Sequence, residues 1–194
     1  ATKWISAELS IWQLLFMRSA FGLILLLPLL LTLKQLRLIK PLNFKRVIIR
    51  SLLMSLSYLA FFTALAAIPV ALVAGGFFSS PLFMVLLSWV MLNEKIGKWR
   101  IISVLSGFIG VLLILRPDTA SFDWITALPV LAGFFYAVTQ IYTRKYCKNE
   151  QALALSFWLT TVFMLVGFTG MLGLYLLPAA EQPGFLNYPL IITD

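Results

Sequence analysis

The chain has 194 residues, of which 61% are hydrophobic and only 11% are charged, and its mean hydropathy is +0.98. This composition excludes an ordinary soluble domain and is typical of an integral membrane protein. The formal net charge is +8, but the basic residues lie between apolar runs, as in membrane loops, so we expect no nucleic-acid partner. With no histidine and a single cysteine, Cys147, the chain itself offers no histidine catalysis, no His/Cys metal site and no internal disulfide, and we expect no cofactor.

Residues 1–10, ATKWISAELS, are too polar for a signal peptide, and the chain does not begin with Met, so we expect a piece of a longer protein. Six later segments come close to the length of about 20 apolar residues that a bilayer-crossing helix requires. They lack the alternation of a lipid-facing strand, and helices satisfy every backbone polar group in lipid. The predicted fold class is therefore an all-α, polytopic transmembrane helical bundle. Its predicted spans are 11–33, 47–68, 71–92, 99–115, 124–143 and 152–177.

Arg18 is the one charged residue well inside a predicted span. Insertion scales give arginine a cost of about 2.5–3.5 kcal/mol at mid-bilayer, so this side chain should face protein or water. It lies about two turns from the outer end of its span, however, and could snorkel to the interface. Two roles stay open: contact with a substrate carboxylate or phosphate at the outer mouth of a cavity, or anchoring of the helix.

In the second predicted span, Tyr58 and Phe62 are four residues apart and share one helix face. They are candidates for an aromatic wall of a binding site, although packing in the core is the more common role of such a pair.

The third predicted span contains GGFFSSP, with Pro81 near the bilayer midplane. Proline has no N–H, so the carbonyl of Phe77 loses its helical partner and the helix should bend. In lipid this carbonyl needs another donor, and Ser79 and Ser80 are close in sequence. Transporters often place broken helices and substrate sites at this depth, so Ser79, Ser80 and Pro81 are candidate cavity-lining residues. The alternative is a proline that only shapes packing.

Glu94 follows this span at the membrane edge, within a basic loop. We expect it to form a structural ion pair or part of a gate rather than to do chemistry. The fourth predicted span carries two overlapping small-xxx-small pairs, which let another backbone approach closely. Their expected role is helix packing or a homodimer face. These small residues are Ser103, Ser106, Gly107 and Gly110.

In the fifth predicted span, Tyr136 and Gln140 are four residues apart and stack on one helix face. An amide within a span normally faces the bundle interior, where it can bind another helix or a ligand, and both roles stay open here. No Asp or Glu lies in the middle of any predicted span. This absence disfavours a proton-coupled exporter of cationic drugs, which would need such a carboxylate.

Most of the 15 Lys and Arg residues lie in alternate loops of this topology, at 34–50, 95–100 and 144–148. The positive-inside rule predicts that these loops are cytoplasmic and residues 1–9 external, in a multi-pass protein of the cell inner membrane. Residues 3–10, KWISAELS, also match 145–152, KYCKNEQA, in several side chains. Because the first copy would lie outside and the second inside, the match indicates inverted repeats, which are typical of secondary transporters.

The order of features in 71–115 resembles the EamA family of the drug/metabolite transporter superfamily. These features are a small-residue-rich helix with a central proline, a glutamate at its end, a basic loop, and a helix ending in Gly-Val-Leu-Leu. The tracts LLFMRSAFG, YLAFFTALAAIPVA and FFYAVTQIYTRK also fit the family. Its members have ten spans in two inverted five-span repeats. The resemblance implies that 1–116 is the first repeat without its first span, and that 117–194 begins the second repeat and stops after about two spans.

The resemblance also implies a secondary transporter, not an enzyme, that moves a small polar or zwitterionic metabolite by alternating access. Family substrates include amino acids, nucleobases and S-adenosylmethionine, and the expected partners are the lipid bilayer and the small-molecule substrate. A non-transporting membrane scaffold and a proton-coupled exporter of cationic drugs are the alternatives. A membrane enzyme would need acid/base or metal groups that converge at one depth, and the sequence shows no catalytic or metal-binding set of this kind.

Overall fold

The structure is a computed structural model that describes residues 11–32, 39–95, 97–115 and 124–176. Within these ranges the chain forms seven helices and no strand, which confirms the predicted all-α membrane fold. The predicted match over residues 3–10, and the chain from 177 onward, lie outside the described residues. The helices are α1 (Ile11–Thr32), α2 (Phe44–Ala67), α3 (Val70–Phe77), α4 (Ser80–Leu92), α5 (Lys98–Leu115), α6 (Trp124–Tyr146) and α7 (Ala152–Leu176).

Five helical stretches of the described chain are long and apolar enough to cross a bilayer. Helices α3 and α4 together form one of them. Helix α5 corresponds to the remaining predicted span, and its apolar stretch, Ile101–Gly110, is shorter within the described residues. The protein is therefore a multi-pass membrane protein. The five stretches are Ile11–Pro28, Phe44–Ala67, Val70–Leu92, Trp124–Tyr146 and Ala152–Gly173.

The chain divides into two compact units, with one boundary inside α2 and the other between α6 and α7. The terminal unit comprises the described residues of Ala1–Ser55 and Asn149–Asp194, and here α1 packs along α7. A Cβ atom on Gly167 of α7 would lie 2.8 Å from the backbone nitrogen of Phe16, and Gly170 leaves room for the ring of Trp12. These glycines let the two helices approach closely, as small residues do in membrane bundles.

A carboxylate ties the start of α2 to the start of α7 within the terminal unit. Glu150 accepts hydrogen bonds from the backbone nitrogens of Leu42, at 2.9 Å, and Asn43, at 2.7 Å. The first N–H groups at a helix start have no partner within the helix, and they favour negative charge. The Trp158 indole of α7 also donates to the Ile39 carbonyl, at 3.1 Å. The segment before α2 is therefore fixed on α7.

The central unit, Leu56–Lys148, is built around the turn between α2 and α3. Pro69 precedes α3, and its carbonyl accepts from the backbone nitrogens of Leu72 and Val73. Ala64, Leu65 and Val73 form the buried centre of this region. Both α3 and α4 then pack against α6 and α5. This packing brings the predicted helix break against α6.

Candidate functional site

The helix break lies between Phe77, the last residue of α3, and Ser80, the first residue of α4. It is a tightened turn rather than an unwound segment, because Phe78 and Ser79 keep right-handed helical backbone angles. The backbone nitrogen of Ser79 donates to the Gly76 carbonyl at 3.1 Å, a bond three residues long, as in a 3₁₀ turn. The Ser79 hydroxyl donates to the same carbonyl at 2.7 Å. Ser79 thus donates its hydrogen bonds to the carbonyl of Gly76 and not to that of Phe77.

Glycines on both sides of the contact between the helix break and α6 allow the two backbones to pack closely. A Cβ atom on Gly133 of α6 would lie 3.1 Å from the Phe77 carbonyl oxygen and 3.2 Å from the Ser79 hydroxyl oxygen. A Cβ atom on Gly76 would lie only 2.6 Å from the Cβ of Pro129. The carbonyl of Phe77, which lacks a helical donor at Pro81, therefore faces a part of α6 that has no side chain, and the break is held by close backbone packing.

The two sides of the break differ in burial. The side chains of Ser79 and Ser80 are buried against the central unit, whereas Pro81 is exposed. The proline thus ends the regular hydrogen bonding of α3, while the residues before it make the contacts. The role of all three residues in lining a cavity stays a prediction.

Helix α2 reaches the same region of α6. The buried Ser57 hydroxyl donates to the carbonyl of Ala132 at 2.8 Å, one residue before Gly133. This bond joins two helices that are far apart in sequence, and in lipid such bonds between helices are a main source of association. It also positions the next residue, Tyr58, near the start of a series of aromatic contacts.

Five aromatic rings form a continuous series across the central unit. The series runs from Tyr58 to Phe62, at 5.9 Å between ring centroids, and on to Phe61, at 5.7 Å. Phe61 then contacts Phe77 at 5.2 Å, and Phe77 contacts Tyr136 of α6 at 5.3 Å. All four distances are typical of attractive aromatic pairs. The series brings together three predicted site residues, Tyr58, Phe62 and Tyr136.

Phe61 and Phe77 are not among the residues that the sequence pattern predicts. Phe77 carries the carbonyl that Pro81 leaves without its helical donor, and this relation in sequence is the signal that points to it. Phe61 has no such signal, because one more phenylalanine in an apolar span is common.

Tyr136 and Gln140 carry polar groups that no other described residue binds. Both side chains are half-buried, and neither the phenol nor the amide makes a hydrogen bond within the described part of the chain. Their neighbour Thr139, by contrast, donates to the Phe135 carbonyl of its own helix, at 2.8 Å. An amide and a phenol in an apolar span are costly without partners, so these two groups are available to a ligand, to water or to the rest of the protein.

The far end of α4 is clamped to the far end of α6. Glu94 and Arg144 form a two-point ion pair, with distances of 2.6 and 3.3 Å between their nitrogen and oxygen atoms. Lys145 donates to the Met91 carbonyl at 2.6 Å. Positive charge is favourable at the carbonyl end of a helix, and a bidentate pair fixes the orientation of both partners. Glu94 thus has the ion-pair geometry expected of it, and a gating role stays a prediction.

The remaining predicted residues make no contact in the aromatic series. Arg18 belongs to α1 of the terminal unit, where its side chain is exposed. On α5, Ser103, Ser106 and Gly107 are exposed, and a Cβ atom on Gly107 or Gly110 would meet nothing within 4 Å. No described helix covers this small-residue face, so its predicted role in packing or dimerisation stays a prediction. Among the described residues, no cluster of three or more His, Cys, Asp or Glu side chains could hold a metal ion.

Comparisons with known proteins identify relatives that are named as transporters. The riboflavin transporter of Brucella anthropi is 27% identical over 158 residues, which is 80% of this chain and 55% of that protein. The S-adenosylmethionine uptake transporter of Rickettsia prowazekii is 26% identical over 185 residues, which is 95% of this chain and 63% of that protein. A riboflavin transporter of Vibrio cholerae is 32% identical over 105 residues, 54% of this chain and 34% of that protein.

The chain thus spans about three fifths of the length of the first two relatives. No solved structure matches it. The sequence profile of the EamA-like transporter family matches residues 1–116, and together with the relatives it points to transport rather than catalysis. Since this match covers more than half of the chain, the protein belongs to the EamA-like transporter family.

Proposed function

We propose that the full-length protein is a secondary transporter for a small polar metabolite that carries a flat aromatic ring. The observation that carries the proposal is the position of Tyr136 and Gln140. Their polar groups have no partner among the described residues, and Tyr136 is the last ring of the aromatic series, with Gln140 one turn further along α6. A ligand ring can extend such a series, while the amide and phenol bind its polar edge.

The relatives support this class of substrate. Riboflavin and S-adenosylmethionine, the compounds in the names of the relatives, each contain a fused heteroaromatic ring with hydrogen-bonding groups at its edge. An aromatic wall with an amide suits both, because stacking tolerates different rings and a glutamine amide both donates and accepts hydrogen bonds. Nucleobases, tyrosine and tryptophan also combine a flat aromatic ring with a hydrogen-bonding group at its edge, and they belong to the same proposed class.

The movement that the proposal requires is alternating access, in which the site opens first to one side of the membrane and then to the other. The ion pair between Glu94 and Arg144 holds α4 against α6 at one end, and in the proposal it loosens when the site opens there. By the positive-inside rule this end is cytoplasmic, and the membrane is the cell inner membrane. Arg18 would contribute at the opposite, external side.

The first test is transport by the full-length protein in proteoliposomes. We expect uptake of a labelled flavin, nucleobase or aromatic amino acid by the wild type. Loss of one hydrogen bond, worth about 1 kcal/mol, should lower uptake by Gln140→Ala about fivefold at limiting substrate. Tyr136→Phe, which removes only the hydroxyl, should act in the same direction. Gln151→Ala, in the exposed segment before α7, is the matched control for loss of an amide and should transport normally.

A second measurement separates binding from movement. Substrates that are transported should raise the thermal unfolding temperature of the wild type, and Gln140→Ala should weaken this effect at equal concentration. Normal uptake and normal stabilisation in both Gln140→Ala and Tyr136→Phe would show that the site is elsewhere. A wild type that neither transports nor is stabilised by any of these compounds would favour the membrane scaffold.

A further inference from the structure

An open apolar groove runs between α4 and α5 in the central unit. It has a volume of about 360 Å³ and is lined by α4 from Leu82 to Trp89 and by α5 from Ile101 to Leu105. All of its lining side chains are apolar, and most are partly or fully exposed. The groove is therefore separate in chemistry from the region of Tyr136 and Gln140, since it offers nothing to a polar metabolite.

The groove is also on the opposite face of α4 from α6. Ser80 and Phe83 contact α6, as shown by the approach of Gly133 to Ser80 and by the ring contact of Phe83 with Phe134 at 5.4 Å. In a helix with 3.6 residues per turn, Leu82, Leu86 and Trp89 lie on the other side. The groove thus faces away from the candidate substrate site.

Two cations lie at one end of this groove. Trp89 is one turn before the end of α4, and Ile101 is one turn after the start of α5, so the groove begins close to the connection that carries Lys95 and Lys98. Both lysines are exposed, and neither has an ion-pair partner among the described residues. The nearest acidic side chain in sequence, Glu94, is already bound by Arg144.

Trp99, beside Lys98, places this end of the groove at the membrane surface. Its side chain is 82% exposed at the start of α5, which is typical of tryptophans in the interfacial belt of membrane proteins. The arrangement therefore consists of an apolar channel within the hydrocarbon layer and a pair of unpaired cations at headgroup level.

We propose that this groove binds an anionic phospholipid, with an acyl chain between α4 and α5 and the headgroup phosphate at Lys95 and Lys98. An acyl chain matches the shape and the apolar lining, and the burial of its methylene groups drives binding. The charge selects the lipid: basic side chains next to a membrane surface attract anionic headgroups, while a zwitterionic headgroup gains little from them. The site goes beyond transport, because it lies on a different face of α4 from the proposed substrate site.

The experiment is native mass spectrometry of the full-length protein with phosphatidylglycerol or phosphatidylcholine of equal chain length. We expect the wild type to retain phosphatidylglycerol preferentially. A lysine near the membrane surface contributes about fivefold in affinity, so Lys95→Gln/Lys98→Gln should lose about 25-fold and bind the two lipids alike. Lys45→Gln removes an exposed cation that belongs to the terminal unit and not to the groove, and should leave the preference unchanged.

A second pair of variants tests the groove itself. Leu105 lines the groove and is 50% exposed, so Leu105→Trp can fill it without entering the core. It should lower retention of both lipids, whereas Ile109→Trp, one turn along the same helix and also exposed (58%), should not. Equal retention of both lipids by the wild type, or unchanged preference in the double lysine variant, would overturn the proposal.

Two other occupants of the groove, free phosphate and another segment of the protein, would give different experimental results, and either result would also overturn the proposal. Displacement of phosphatidylglycerol by glycerol phosphate alone would show a site for free phosphate, since a bound acyl chain should resist it. The other outcome is that the wild type retains no lipid, while Leu105→Trp loses thermal stability and Ile109→Trp does not. This result would show that another segment of the protein covers the groove.

Discussion

The contact between the helix break and α6 predicts a large difference between two glycine-to-alanine substitutions. A Cβ atom on Gly76 would lie 2.6 Å from the Cβ of Pro129, a distance that real Cβ atoms essentially never show. The proline ring is rigid and cannot rotate away, so α3 or α6 must shift. A Cβ atom on Gly107 of α5 would meet nothing within 4 Å. Both glycines lie within helices, so each substitution brings a gain in helix propensity of at most about 1 kcal/mol, smaller at Gly76 because it is the penultimate residue of α3.

The difference between the two variants therefore isolates the steric cost. Overpacking of a tight contact costs about 1–3 kcal/mol, which equals or exceeds the propensity gain. We expect Gly76→Ala to unfold at a lower temperature than the wild type, and Gly107→Ala to unfold at the same or a higher temperature. Thermal unfolding of the full-length protein in detergent, followed by tryptophan fluorescence, measures both. If Gly76→Ala were as stable as Gly107→Ala, the close packing of the break against α6 would be wrong.

Three further predictions concern the ends of the helices and the ring series. Glu94→Gln removes a partly exposed ion pair, so it should lower the free energy of unfolding by about 1 kcal/mol or less. Because salt screens surface pairs, 1 M salt should reduce the difference from the wild type, and an effect independent of salt would contradict the ion-pair role. Glu150→Gln should lower the free energy of unfolding by about 1 kcal/mol, because an amide replaces the carboxylate that binds two backbone N–H groups before α2. Unchanged stability would show that Glu150 does not hold this segment. Phe77→Leu keeps an apolar side chain but removes two ring contacts worth about 0.5–1.5 kcal/mol each. This variant should therefore bind substrate more weakly than the matched variant Phe83→Leu, and equal affinities of the two variants would exclude the ring series from the site.

The helices could be predicted from the sequence because the membrane imposes a length and an apolar composition on each span. Their ends could not be predicted as well, since they depend on contacts between segments. Helix α2 begins at Phe44 rather than at 47, where the apolar run starts. Asn43 accepts a hydrogen bond from the Arg46 backbone nitrogen at 3.4 Å, and Glu150, far along the chain, binds the N–H groups just before the helix. A carboxylate more than a hundred residues away cannot be assigned to this helix end by local pattern.

The helix break shows the same limit within the candidate site. The loss of one hydrogen bond at Pro81 follows from covalent structure, so a break near Phe77 is predictable. Which face of the break is buried does not follow, because it depends on Gly133 of α6, which alone leaves room for the carbonyl and the serine hydroxyl. The sequence therefore indicates where the helix breaks but gives equal weight to two serines that are buried and a proline that is exposed.

The spacing of Tyr136 and Gln140 places them on one face, and the proposal that they bind a ligand rests on how the hydrogen bonds of α6 are distributed. Thr139 and Thr143, which lie between and after them, donate to carbonyls of their own helix and so need no outside partner. A glutamine amide in mid-helix does not form such a hydrogen bond within its own helix, because the backbone groups around it are already bonded to one another. These two threonines are therefore satisfied within the helix, whereas the amide and the phenol have no partner among the described residues. Since the nearest rings form a continuous series that ends at Tyr136, a flat ligand with a polar edge meets both requirements at once.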